Sequence, residues 1–146
     1  MSTRIGDTVG FIVDDNEDLA DAISKMLATQ GYLTTPFYTA AAAIDALRHT
    51  IPDFIITDFS MPVMDGLTLA TYVVQANPDC RVIVVSGNPA AMSGHQHRRH
   101  FPILQKPVSF SVMLKVLQRE MGSDAGGRLA GSASVLGNDD VVTQLR

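Results

Sequence analysis

The chain has 146 residues, 46% of them apolar, and a formal net charge of −4, which suits one compact domain with its own buried core. Its eleven Lys and Arg are scattered, so the basic face that nucleic acid requires is missing. Residues 1–7 lack the charged-then-apolar pattern of a secretory signal, and no apolar run reaches the roughly 18 residues that span a bilayer. A cytoplasmic chain without nucleic-acid or membrane contact is therefore expected.

The first apolar run, 9–13, is non-alternating, as a strand buried on both faces should be. Leu19, Ile23, Met26 and Leu27 follow at helical spacing. Residues 33–37 alternate with Thr and contain Pro36, which lacks an amide donor and so belongs in a sheet-edge strand. The Ala-rich stretch 39–49 favours helix. Residues 54–57 read as a second central strand, and Leu67, Ala70, Val73 and Val74 mark the helix after it.

A further central strand is expected at 82–85 and another at 103–105. The intervening 88–101 makes a poor fourth helix: Pro89 can open it, but Gly94 interrupts it and His95, His97 and His100 crowd its end, so a short or mobile element is expected. Spacings of two and three among those histidines fit no closed zinc site. Phe110, Met113, Leu114 and Leu117 give the last helix one apolar face.

After residue 121 the composition changes, with five of the eleven glycines in the last 25 residues. Residues 1–121 are expected to form the domain and 122–146 a flexible Gly/Ser-rich tail or linker. Val135, Leu136 and residues 141–145 leave room for a short docking segment. Cys80 is the sole cysteine, so it can form no internal disulfide and reads as a core residue.

Alternating strands and helices imply an α/β fold whose parallel sheet is covered on both faces, because right-handed crossovers distribute helices to either side. A doubly wound, flavodoxin-like (βα)5 arrangement of five strands in the order 2-1-3-4-5 is expected. Ligands in such folds sit outside the carboxyl ends of the strands. Those ends carry Asp14 and Asp15 after strand one, Asp58 after strand three, Ser86 after strand four, and Lys106 with Pro107 after strand five. Three carboxylates gathered at one rim repel one another unless a cation neutralises them, and an all-oxygen site suits magnesium.

At this point the chain resembles the response-regulator receiver family of two-component signalling. The resemblance rests on Ile12-Val13-Asp14-Asp15-Asn16, the run from Thr57 through Asp58-Phe59-Ser60-Met61-Pro62-Val63-Met64-Asp65 to Gly66, Ser86-Gly87, and Gln105-Lys106-Pro107, and it covers about residues 8–121. No piece is specific alone; all four in order on successive βα units are. The resemblance implies that Asp58 is the nucleophile that accepts a phosphoryl group from a phosphohistidine on a sensor histidine kinase or phosphotransfer protein, or from a small phosphodonor. It implies Mg2+ held by Asp15, Asp58 and the backbone carbonyl of Ser60, with Asp14 acting through a water.

By the same resemblance, Lys106 pairs with Asp58 before transfer and with the phosphoryl group after it, and the Ser86 hydroxyl donates to another phosphoryl oxygen. Movement of Ser86 would then remodel the surface around helix four, strand five and helix five for a downstream protein target. The chain would thus be a phosphoprotein switch, catalysing only its own phosphorylation and dephosphorylation. It departs from the family at Ile103, where an aromatic residue is common three positions before the lysine, and at Gly87, often alanine, so the usual aromatic readout is not expected.

Blander readings exist for each residue. Asp15 and Asn16, followed by Glu17 and Asp18, also make a good helix start. Asp58 alone could be a turn residue, Ser86 or Lys106 merely exposed polar groups, and Asp65-Gly66 a turn opening the third helix. Only their joint placement outweighs these. A phosphate-independent binding module with the same fold is the main rival, and the intact acid, hydroxyl and lysine set argues against it. A magnesium phosphatase of similar topology would place a second Asp where Ser60 stands. A nucleotide site is excluded because the first turn, Asp-Asp-Asn-Glu-Asp, offers no glycine pattern and repels phosphate.

Overall fold

The computed structural model describes residues 5–92 and 101–122. The strands are β1 (Val9–Val13), β2 (Leu33–Phe37), β3 (Phe54–Asp58), β4 (Arg81–Ser86) and β5 (Ile103–Gln105), and the α-helices are α1 (Glu17–Thr29), α2 (Ala40–Ala46), α3 (Gly66–Ala76) and α4 (Phe110–Gly122). One five-stranded parallel sheet runs in the order β2-β1-β3-β4-β5, as the alternation of elements predicts. β2, with Pro36 and only partial burial, is an edge strand. β3 is buried along its whole length, which its unbroken apolar run requires.

The chain divides into two compact units, Met1–Val82 and Ile83–Arg146. In the first, Phe11, Ile12, Phe54, Ile55, Leu27 and Leu69 are almost wholly buried. Gly10 is required where β1 passes β3, because a Cβ there would overlap the Phe54 ring. Tyr32 stands edge-on to the same ring, with centroids 5.5 Å apart. Cys80 is buried, and burial, with the charge of Asp53 added, pushes its thiol pKa up to about 12.

Each helix begins where a side chain can satisfy its first amides. Asn16 accepts from the Leu19 amide, Thr39 from Ala42, and Asp65 from Thr68. Glu17 and Asp18 add negative charge to the first turn of α1, where the helix dipole favours it. α1 ends in a Schellman motif at Gly31, whose φ of 100° suits a residue without a side chain. There the Tyr32 amide reaches the Leu27 carbonyl and the Gly31 amide reaches Ala28.

In the second unit Ile83, Val84, Leu104, Met113 and Leu117 form the buried set. β4 and β5 pair in parallel, with Val84 opposite Ile103 and Ser86 opposite Gln105. Ser109 caps α4 by accepting the Val112 amide. The fourth crossover is described only as far as a 3-10 turn, Pro89–Met92. His95, His97 and His100, the expected tail after Gly122, and any docking segment within it lie outside the described residues. Among the described residues no helix is long and apolar enough to cross a membrane.

Candidate functional site

The parallel order brings the ends of β1 and β3 side by side, since Val13 and Thr57 are in register. Asp14 follows β1 directly and Asp58 is the last residue of β3. Carboxylate oxygens of Asp14, Asp15 and Asp58 lie within 4.8 Å of one another. Asp14 and Asp58 are each only 5% exposed, whereas Asp15 is exposed. Placing three acids this close with two of them buried is costly in water-poor surroundings, and a bound cation removes the cost. The donor set is entirely oxygen, which fits a hard divalent cation rather than zinc.

The loop that carries Asp14 and Asp15 is held by backbone. The Asp14 amide donates to the Phe37 carbonyl (3.0 Å), and the Asp14 Oδ1 accepts the Asn16 amide (2.9 Å). Asn16 in turn caps α1, so the bland reading of this motif as a helix start is correct and coexists with the acid cluster. After β3 the chain turns through Ser60, which is exposed, and through Val63, where the Met64 amide donates to the Pro62 carbonyl (2.8 Å). Val63 has a φ of 72°, a strained value for a β-branched residue, and its side chain is fully exposed. Such strain is tolerated where the surrounding structure dictates the backbone, and here it falls in the connection between β3 and α3.

Gly66 has a role that sequence reasoning assigned to turn conformation. The structure gives a different cause: a Cβ at Gly66 would run into the Asp58 carbonyl and lie 3.0 Å from the Phe59 Cα. The Gly66 amide donates to the Phe59 carbonyl at 2.8 Å. Only glycine lets α3 start this close to the Asp58 backbone. Sequence reasoning also missed Tyr38, whose hydroxyl donates to Asp21 Oδ1 at 2.6 Å; that bond, then burial, then the charges of Asp21 and Glu17 raise its pKa. Nothing local in the sequence signals a contact between β2's end and the second turn of α1.

In the second unit, Ser86 ends β4 and is 2% exposed, and Lys106 follows β5 and is half-buried. The Lys106 amide donates to the Ser86 carbonyl (2.8 Å), so the two residues are fixed to each other through backbone. The Ser86 Oγ accepts the Asn88 amide at 3.0 Å. The Lys106–Pro107 peptide is cis.

A single parallel sheet ordered 2-1-3-4-5, with acids at the ends of its first and third strands, defines a flavodoxin-like α/β domain with a rim site. Residues 11–118 match the response regulator receiver domain model, and the chain belongs to that family. It is 30% identical over 112 residues to the DNA-binding transcriptional regulator NtrC of Escherichia coli (strain K12), covering 75% of this chain and 24% of that protein. It is 30% identical over 77 residues to the response regulator receiver protein CpdR of Brucella abortus, covering 53% and 64%. The chain thus spans about a quarter of the length of NtrC.

Among solved structures, a CheY-like receiver domain protein from Methanospirillum hungatei superposes with a TM-score of 0.70 at 20% identity, over 81% of this chain and 96% of that one. The chemotaxis response regulator CheY4 of Vibrio cholerae superposes with a TM-score of 0.69 at 23% identity, over 77% and 98%. At these identities the likeness is one of fold.

Proposed function

We propose that this chain is the phosphoacceptor of a two-component phosphorelay, taking a phosphoryl group on Asp58 from a phosphohistidine of a sensor histidine kinase or phosphotransfer protein. The observation that carries the reading is the buried Asp58 carboxylate at the end of β3, with the Asp14 and Asp15 oxygens within 4.8 Å. Asp15, Asp58 and the backbone carbonyl of Ser60 would hold Mg2+, with Asp14 behind them. The ion supplies charge neutralisation of the reacting oxygens.

In the transfer, an Asp58 oxygen attacks phosphorus in line, an O–P bond forms, the P–N bond to the imidazole breaks, and the imidazole leaves with its electron pair and takes up a proton. The product is an acyl phosphate, which water can later hydrolyse back to the carboxylate. Lys106 would pair its ammonium with the added phosphoryl oxygens. The chain catalyses these steps on itself and turns over no outside substrate.

Ser86 would couple the chemistry to the surface. Its oxygen accepts the Asn88 amide, and a hydroxyl that accepts can still donate its own proton to a phosphoryl oxygen. Movement of Ser86 toward the phosphate then carries the Asn88 amide with it and reshapes the loop after β4, altering the face formed by that loop, β5 and α4 for a downstream protein. With Ile103 in place of an aromatic residue, the readout lies in the segment after β4 rather than in an aromatic flip. Amide exchange across residues 86–105 should change on adding a phosphoryl mimic with Mg2+; unchanged protection would sink this readout.

The primary test is intact mass after incubation with Mg2+ and phosphoramidate. One added phosphoryl group is expected, lost in Asp58→Asn and without divalent cation. No gain from a folded protein that binds Mg2+ would favour a phosphate-independent binding module.

A further inference from the structure

The exposed acid of the cluster, Asp15, sits on a three-residue loop between β1 and α1, so its distance from Asp58 is set by the backbone on either side. Both sides hang on two consecutive residues at the end of β2. On the strand side, the Asp14 amide is bonded to the Phe37 carbonyl, and the Phe37 ring stands against Phe11 of β1 with centroids 4.7 Å apart. On the helix side, the Tyr38 hydroxyl donates to Asp21 Oδ1 in the second turn of α1 at 2.6 Å, the short distance of a charge-assisted bond. Between these two anchors the loop carries internal bonds, from the Asn16 amide to Asp14 Oδ1, from the Leu19 amide to Asn16 Oδ1 and from the Ala20 amide to the Asn16 carbonyl.

We infer that Tyr38, through its bond to Asp21, is a positioning residue for the divalent-cation site, holding the start of α1 so that Asp15 stays within ligand distance of Asp58. The inference rests on the magnesium reading of the acid cluster and extends it to a residue that makes no contact with the ion. A contact of this kind acts on metal affinity by restricting where a ligand can go, and loss of such outer supports weakens metal binding severalfold or more.

The molecule contains its own control. A second side-chain bond between α1 and β2 joins Ser24 Oγ to Thr34 Oγ1 at 2.8 Å, farther along the helix from the acid loop. If bonds between these two elements matter only for stability, Tyr38→Phe and Ser24→Ala should behave alike. If Tyr38 positions the loop, only Tyr38→Phe should change metal affinity.

The experiment is a Mn2+ titration followed by electron paramagnetic resonance on the full chain, with thermal melting of each variant in metal-free buffer. Wild type and Ser24→Ala should bind with equal Kd, and Tyr38→Phe should bind about 3- to 10-fold more weakly. Asp21→Asn, which keeps an acceptor oxygen, should retain most of the affinity. Asp21→Ala should match Tyr38→Phe, and the double variant Tyr38→Phe with Asp21→Ala should be no worse than either alone. Equal Mn2+ affinity in wild type and Tyr38→Phe would overturn the inference while leaving the metal site standing, as would parallel losses in Tyr38→Phe and Ser24→Ala. A wild-type chain that takes up no Mn2+ would overturn the magnesium reading and this inference with it.

Discussion

β3 is flanked by two aspartates whose surroundings could hardly differ more. Asp53, just before the strand, is satisfied by backbone: its Oδ2 accepts the Val9 amide (2.8 Å), its amide donates to the Val9 carbonyl (2.7 Å), and its carbonyl accepts the Arg81 amide (3.0 Å). Asp58, at the other end, is buried beside two further carboxylates. The first uses its charge to close the sheet; the second belongs to a cluster whose mutual repulsion a cation would relieve. A carboxylate held by amides contributes to stability, whereas carboxylates gathered within ligand distance of one another form a candidate cation site.

The sharpest way to break this comparison is Asp58→Asn. It should abolish phosphoryl incorporation as read by intact mass, and should raise the stability of the metal-free protein by about 1–3 kcal/mol at low salt by removing one of three like charges. Mg2+ should then stabilise the variant far less than wild type, for which saturation at about 100 times Kd adds about 2.7 kcal/mol. A metal-free Asp58→Asn protein less stable than wild type would show that the cluster is not under strain.

Gly66→Ala comes next. The added methyl meets the Asp58 carbonyl, so the start of α3 must shift. We expect about tenfold slower phosphoryl incorporation from phosphoramidate, with a stability loss of about 1–3 kcal/mol in chemical denaturation. A variant that keeps the wild-type rate would mean that the close approach serves packing alone.

Asp53→Ala tests the other end of β3. It leaves the Val9 amide without its side-chain acceptor and should cost about 1–3 kcal/mol in urea denaturation, with phosphoryl incorporation unchanged. Impaired incorporation would mean that the two ends of β3 are coupled.

The smallest effect concerns pH. Burial, aided by the charge of Asp53, raises the Cys80 thiol from its ordinary 9.0 to about 12. A raised folded-state pKa means that the fold favours the protonated thiol, so this contribution to stability is intact below pH 9 and is lost as pH rises toward 12. The melting temperature of wild type should therefore fall more steeply than that of Cys80→Ala across that window. Parallel slopes would show that the thiol ionises as readily in the folded protein as in the unfolded one.

Much of this could be read before folding. The non-alternating runs at β1, β3 and β4 marked buried parallel strands, Pro36 marked the edge, and Asn16 and Asp65 marked helix starts, because periodicity and capping are properties of neighbours along the chain. Strand boundaries moved by a residue: β3 takes in Asp58 and β4 runs from Arg81 to Ser86. The (βα)5 order followed from alternation, although the expected weak fourth helix is described only as the turn Pro89–Met92.

By itself, then, the sequence determined which residues become strands and helices and that acids stand at the ends of strands one and three. Tertiary structure alone decided that the Asp14, Asp15 and Asp58 oxygens come within 4.8 Å, that α3 presses on the Asp58 carbonyl so that position 66 must be glycine, and that Tyr38 reaches Asp21. The physical reason is distance along the chain. Local preference acts within a few residues, whereas the acid cluster and the Tyr38 bond join segments far apart in sequence and exist only once parallel pairing has set β1, β2 and β3 side by side; the Gly66 contact depends on the path of the turn between β3 and α3.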